Sequence, residues 1–297
     1  MSSTTLRGVY VPLITPFAAD GSVDLGALEG LAHGYLDAGV TGLVPLGTTG
    51  EAPLLDAAEK WAVVDLCARV GRERGAQVIV GSGTNSTATT ITATAEFGAI
   101  PGVTHAMLVV PYYVRPSQAG IVEHLATAAS ASPVPVVVYN IPVRTGRVLE
   151  VAGMLELAAH PNVVGVKQAV DGIDLATLEI LAGAPEGFAL LGGDDPYLFP
   201  TVLLGGTGAI CASAHVCTER FVAMIECALA GRIAEGRSHH EALLPVVRAC
   251  FAEPNPAVFK AVLHAQGKIR TPDLRLPLLA ASSDARDRAL AAVDAAS

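Results

Sequence analysis

The sequence predicts an α/β fold, a (β/α)8 TIM barrel followed by a C-terminal helical extension. Three observations carry that prediction. Eight short runs rich in Val, Ile and Leu recur before residue 215. Stretches with helical spacing separate them, and several runs are apolar at nearly every position rather than alternating. Strands covered on both faces read that way, as they do when helices flank a parallel sheet. Eight strands alternating with helices close into a barrel, the rival being a doubly wound open sheet.

The runs fall at 8–17, 41–47, 77–83, 105–111, 135–140, 163–169, 188–195 and 208–214. Asp24 precedes Leu25, Leu28, Leu31 and Tyr35, an N-cap ahead of one apolar face, and Gly39 closes that helix. Asp56 and Glu59 have the spacing of a capping box, which opens a helix over 57–70 with Gly71 as its stop. Comparable patterns predict helices over 87–97, 118–130, 149–159, 175–182 and 196–204. Beyond Val216 the strand signal ends, and helices are expected over 219–230, 233–248, 256–266 and 284–296. The expected organisation is a barrel over residues 1–217 that carries the site, then a helical domain over 218–297.

Of the 297 residues 51% are hydrophobic and 16% charged, so the chain can bury a large core and long disorder is excluded. A net charge of −9 opposes a phosphate backbone, and no nucleic-acid partner is expected. Mean hydropathy of +0.48 invites a membrane reading. Yet no apolar run reaches about 18 residues, and the suspicious stretch 125–143 holds three prolines and Asn140. The N-terminus has no basic segment ahead of a long apolar one, so no signal peptide and a cytoplasmic location are expected. Five cysteines (Cys67, Cys211, Cys217, Cys227 and Cys250) form no CxxC pair and are expected as buried thiols. Only His239 and His240 are adjacent among the eight histidines, and no metal site is expected. Gly81-Ser82-Gly83 lacks the third glycine of a dinucleotide fingerprint.

Barrel enzymes place reacting groups at the carboxyl ends of the strands. There the sequence sets Gly47-Thr48-Thr49-Gly50-Glu51, Pro111-Tyr112-Tyr113, Tyr139-Asn140 with Arg144 just beyond, Lys167, Gly192-Gly193-Asp194-Asp195, and Ala209-Ile210. Lys167 ends the run Val163-Val164-Gly165-Val166, where desolvation favours the neutral amine that attacks a ketone. The bland alternative is a strand-end lysine whose stem packs while its head reaches water. The other three lysines, Lys60, Lys260 and Lys268, fall in predicted helical regions and do not compete. The turn at 47–51 offers two hydroxyls and backbone N–H groups for a carboxylate, or is simply a tight turn. Arg144 offers a planar fork for a second carboxylate, or is a surface arginine.

Together the segments GTTGE (47–51), PYYVRPSQ (111–118), YNIPVRTG (139–146), GVKQA (165–169), GGDD (192–195) and EPNP (253–256) resemble the dihydrodipicolinate synthase/N-acetylneuraminate lyase family. The likeness is nearly collinear from Gly8 to about Leu278. It implies a Schiff-base mechanism with no metal or organic cofactor, in which Lys167 condenses with pyruvate and the enamine attacks an aldehyde. In the synthase branch that aldehyde is L-aspartate 4-semialdehyde, the product 4-hydroxy-tetrahydrodipicolinate, and the pathway diaminopimelate and lysine biosynthesis. By the same resemblance Tyr139 is the general acid/base, with Thr48 and Tyr113 as its proton relay. Tyr113 would reach in from the neighbouring subunit, in a homo-oligomer that is usually a tetramer built as a dimer of dimers. Thr49 and the backbone at Ile210 match the contacts to pyruvate's carboxylate, Gly193 is carried over as a substrate contact, and Arg144 would take the semialdehyde's carboxylate.

The alternatives are a pyruvate-dependent aldolase or lyase acting on a sugar acid such as N-acetylneuraminate, and a catalytically silent binding barrel. Gln168, where synthases commonly carry an acidic residue, leans toward the lyases; Thr48 and Arg144 lean toward the synthases. Where some family members hold L-lysine as inhibitor, this chain has Ala57, Lys60 and Thr89, with Asn85 and Tyr112 retained. Lacking a carboxylate for the effector's ammonium, it is expected to respond weakly or not at all.

Overall fold

A computed structural model of the chain describes residues 5–297; the opening of the N-terminal segment read above lies outside them. All eight expected strands form, as β1 (Gly8–Val11), β2 (Gly42–Leu43), β3 (Gln77–Gly81), β4 (His105–Val109), β5 (Val136–Asn140), β6 (Val163–Gln168), β7 (Ala189–Gly192) and β8 (Gly208–Ile210). They pair in parallel and in sequence order, and β8 returns to β1 to close the barrel, which excludes the open sheet. Seven of them end earlier than the apolar runs do, because the rim residues leave the ladder for turns that shape the site.

The helices around the barrel are α1 (Leu25–Asp37), α2 (Ala57–Arg74), α3 (Thr87–Gly98), α4 (Gln118–Ala131), α5 (Pro142–Thr145), α6 (Val151–Ala158), α7 (Leu175–Gly183) and α8 (Leu198–Leu203). Then follow α9 (Thr218–Leu229), α10 (Ile233–Cys250), α11 (Ala257–Ala265) and α12 (Ser283–Ala296). The capping box at Asp56 and Glu59 is made in both directions, at 2.8 and 2.9 Å. Gly71 does not stop α2. The helix runs on to Gly75, whose φ of +65° supplies the left-handed cap. Gly71 is instead a packing glycine: a Cβ there would lie 2.4 Å from Val78 Cγ2 on β3. The one-turn α5 was not foreseen. Pro142 opens it and Gly146 closes it in the left-handed conformation, which leaves Arg144 in its last turn.

Strand alternation sorts the core into two layers. Val9, Val11, Val136, Val138, Val166, Leu190 and Ala209 face outward and pack under the helices. Tyr10, Val44, Ile79, Val137, Tyr139, Leu191 and Ile210 face inward and fill the barrel. α9 lies against β1 and β8, just past the division expected at residue 217. Together α10, α11 and α12 enclose a smaller apolar centre of their own around Val246, Phe259 and Ala289. All five cysteines are free thiols, four of them buried and Cys217 partly so. Among the described residues no helix is long and apolar enough to cross a membrane.

Candidate active site

Register decides which groups meet at the carboxyl rim. Tyr139 on β5 is the direct neighbour of Lys167 on β6, and Lys167 of Leu191 on β7, so all three point into the barrel. The Lys167 amine lies 4.1 Å from the centroid of the Tyr139 ring, and the residue is 6% exposed. A lysine whose head escapes to water is therefore excluded. Gly193 makes room for it, since a Cβ there would stand 3.0 Å from Lys167 Cε and 3.0 Å from the Ala169 side chain. The Gly193 N–H is meanwhile committed to the carbonyl of Gln168, at 2.8 Å.

A cavity of about 480 Å³ opens above the amine. Thr48, Thr49, Tyr139, Arg144, Lys167, Gly193 and Ile210 all line it, so seven of the eight expected site residues converge. Thr49 is buried and its hydroxyl accepts from Asn255 Nδ2 at 3.0 Å. Arg144 is exposed at the mouth, free to meet an incoming anion. Tyr113 is the exception. It is 88% exposed, outside the cavity, on a loop where its own φ is +70°.

Three participants carried no assigned role in the sequence. Asp195, from the GGDD segment, lines the cavity beside Lys167 and accepts from the Ser213 N–H at 2.6 Å. Burial pushes its carboxyl up, against the pull of the Ser213 hydrogen bonds and of the Lys167 charge. A pair of aspartates at a strand's carboxyl end was the available signal. Asn255, from EPNP, was visible only as part of a motif. Lys260 lies in α11, in the helical region expected, but it is wholly enclosed, 2.5 Å from Glu51 Oε1. Burial lowers its ammonium to about 8, with Glu51 opposing. Nothing in the helical pattern of 256–266 marks one lysine as interior.

Gln168 does not line the cavity. It follows Lys167 on β6, so it faces outward, where it accepts from Asn140 Nδ2 at 3.1 Å and donates to the Thr177 hydroxyl at 3.2 Å. Its amide ties β5 and β6 to the start of α7. Far from the cavity, Cys227, Glu235 and His239 bring three potential metal-ligand atoms within 4.8 Å of one another. The guanidinium of Arg232 already occupies the Cys227 sulfur, at 3.3 Å, and would repel a cation there.

Fold and site define a class: a closed parallel barrel that sets a strand lysine and a strand tyrosine side by side in a cavity at its carboxyl rim. Known proteins narrow it. The model of the Dihydrodipicolinate synthetase family matches residues 5–296, and the chain belongs to that family. It is 40% identical, over 96% of both chains, to the 4-hydroxy-tetrahydrodipicolinate synthase of Moorella thermoacetica. Among solved structures it is similar to the chloride-inhibited dihydrodipicolinate synthase of Acinetobacter baumannii complexed with pyruvate. That match has 32% identity and a TM-score of 0.94, over 98% of this chain and 99% of the other. The synthase of Cyanidioschyzon merolae with lysine bound matches at 33% identity and TM-score 0.92, over 98% of each chain.

Proposed function

We propose that the chain condenses pyruvate with L-aspartate 4-semialdehyde to give 4-hydroxy-tetrahydrodipicolinate, a lyase of diaminopimelate and lysine biosynthesis working in the cytoplasm. The observation that carries the reading is the Lys167 amine held against Tyr139 in a cavity that Thr48, Thr49 and Arg144 also line. Lys167 adds to the keto carbon of pyruvate and water leaves, giving an imine. Loss of a methyl proton gives the enamine, whose carbon attacks the aldehyde. The substrate's own amino group then attacks the imine carbon and displaces Lys167, so no cofactor is consumed. Tyr139 moves the protons, and a phenol, ordinarily protonated near neutrality, needs the Thr48 and Tyr113 hydroxyls to pass them on. Thr49 and the backbone at Ile210 hold pyruvate while Gly193, its N–H spent on Gln168, leaves room for the adduct, and Arg144 takes the semialdehyde's carboxylate.

The sugar-acid reading loses support because Gln168, the residue that favoured it, lies outside the cavity. The test is pyruvate consumption with the semialdehyde, run beside N-acetylmannosamine, together with borohydride trapping of pyruvate on the enzyme. The reading expects turnover with the semialdehyde alone and an adduct on Lys167. Both vanish in Lys167→Ala, a loss of several orders of magnitude. Turnover confined to the sugar aldehyde, or an adduct elsewhere, would overturn it. Added L-lysine at millimolar concentration should leave most of the rate intact, since Ala57, Lys60 and Thr89 supply no carboxylate for its ammonium.

A further inference from the structure

The loop carrying Thr48 and Thr49 consists of two 3-10 turns, Thr48–Gly50 and Ala52–Leu54, joined through Glu51. Glu51 has a φ of +54° and is 2% exposed, so its carboxylate is turned into the protein. Both of its oxygens are held by the C-terminal region. Oε1 meets Lys260 Nζ at 2.5 Å, and Oε2 accepts from the Arg275 backbone N–H at 3.0 Å. Lys260 also donates to the Asp273 carbonyl at 2.9 Å, and its ammonium sits 4.0 Å from the centre of the Phe17 ring. A second contact from the same helix region reaches the loop one residue from Thr48: Asn255, just ahead of α11, donates to the Thr49 hydroxyl.

An ion pair this deep is poor evidence of stabilisation, because desolvating two charges offsets most of their attraction, and an apolar pair of like volume often does as well. What it supplies, and two apolar side chains do not, is direction. A carboxylate gripped at both oxygens fixes Glu51, and Glu51 in turn closes the 3-10 turn that carries Thr48 and Thr49 by donating its N–H to the Thr48 carbonyl at 3.2 Å. We infer that Lys260, acting through Glu51, is a positioning residue for the subsite that receives pyruvate's carboxylate, so that α11 sets the geometry of a loop on the barrel rim. The inference rests on the reading of Thr49 as a pyruvate contact.

The test compares the full-length enzyme with Lys260→Met and with the double variant Glu51→Gln/Lys260→Met. The double variant leaves no unpaired charge in the interior and serves if the single one does not fold. Two quantities are read on folded protein: the pyruvate concentration for half-maximal borohydride trapping on Lys167, and KM for each substrate. The expected result is a rise of about tenfold or more in both pyruvate constants, the scale of a misplaced binding group. KM for the semialdehyde, which Arg144 holds from a different loop, should move by less than about twofold on the same reasoning. A role confined to stability would lower Tm and the active fraction and leave the pyruvate constants alone, and that result in either folded variant overturns the inference. If the unaltered enzyme traps no pyruvate at all, the functional reading itself fails and takes the inference with it.

Discussion

At Gly193 the absence of a side chain is what lets Lys167 occupy its place, since any Cβ would lie 3.0 Å from the lysine's Cε. The same Cβ would stand 3.0 Å from the Ala169 Cβ and 3.1 Å from the Gln168 carbonyl oxygen, so the amine can move aside but the β6 backbone beside it must give as well. Gly193→Ala is therefore expected to lower Tm through an overpacking cost of about 1–3 kcal/mol, while kcat/KM for pyruvate drops by about 10-fold to 100-fold, a shift of under an ångström at the Lys167 amine being enough. Steady-state kinetics beside a thermal melt decide it; unchanged kinetics would mean that the amine has slack. The same scale explains which residues the sequence made legible. Lys167 and Tyr139 were visible because charge or a phenol in a strand is unusual, and Arg144 because it follows a strand's carboxyl end by only a few residues. Asn255 and Lys260 were not, because their work depends on partners more than 200 residues away, Thr49 and Glu51.

Helix α2 shows what local rules do and do not determine. Its start obeys the capping box, which needs only residues three apart in sequence. Its end misled the pattern, because a glycine that stops a helix and a glycine that lets a helix lie close to a strand look alike in sequence. Gly71 is of the second kind and Gly75 of the first. Gly71→Ala raises helix propensity by about 1 kcal/mol. It also drives a Cβ into Val78, an overpacking cost of about 1–3 kcal/mol. The expected net result is a loss of stability, read as a lower urea midpoint at constant m. A gain would show that α2 can slide off β3.

For the whole molecule two consequences follow. His105 and His215 are buried, and desolvation lowers both to about 4 from the ordinary 6.5; His215 accepts the Ile14 N–H at 3.0 Å through Nε2. In the unfolded chain both take up protons near 6.5, so between about 6.5 and 4 the unfolded state binds more protons. Stability is then complete above 6.5 and falls as the pH drops toward 4, by on the order of 3 kcal/mol for each histidine. Urea melts from pH 7 to 4.5 measure this, and His215→Gln should flatten the slope. The second consequence concerns assembly. Tyr113 stands exposed in a left-handed conformation that costs of the order of 1–3 kcal/mol, an arrangement expected to be offset by contact with a second subunit. Mixing inactive Lys167→Ala chains with Tyr113→Phe chains should restore activity, because a hybrid dimer contains one site with both wild-type groups. No recovery under conditions of subunit exchange would remove Tyr113 from the relay.

By itself the sequence determined the eight strands, their alternation with helices, and the set of strand-end residues with chemistry, because these depend on apolar runs, caps and spacing within short windows. The direction in which those residues point was decided by the tertiary structure alone. In a strand covered on both faces the alternation that would reveal inside and outside is erased: Val166 and Gln168 face the helices while Lys167 between them faces the cavity. Closure of the barrel fixed that choice by setting Lys167 beside Tyr139. Docking of α11 against the loop after β2 then joined Lys260 to Glu51, a pairing no local pattern encodes because chain distance, not spacing, separates its members.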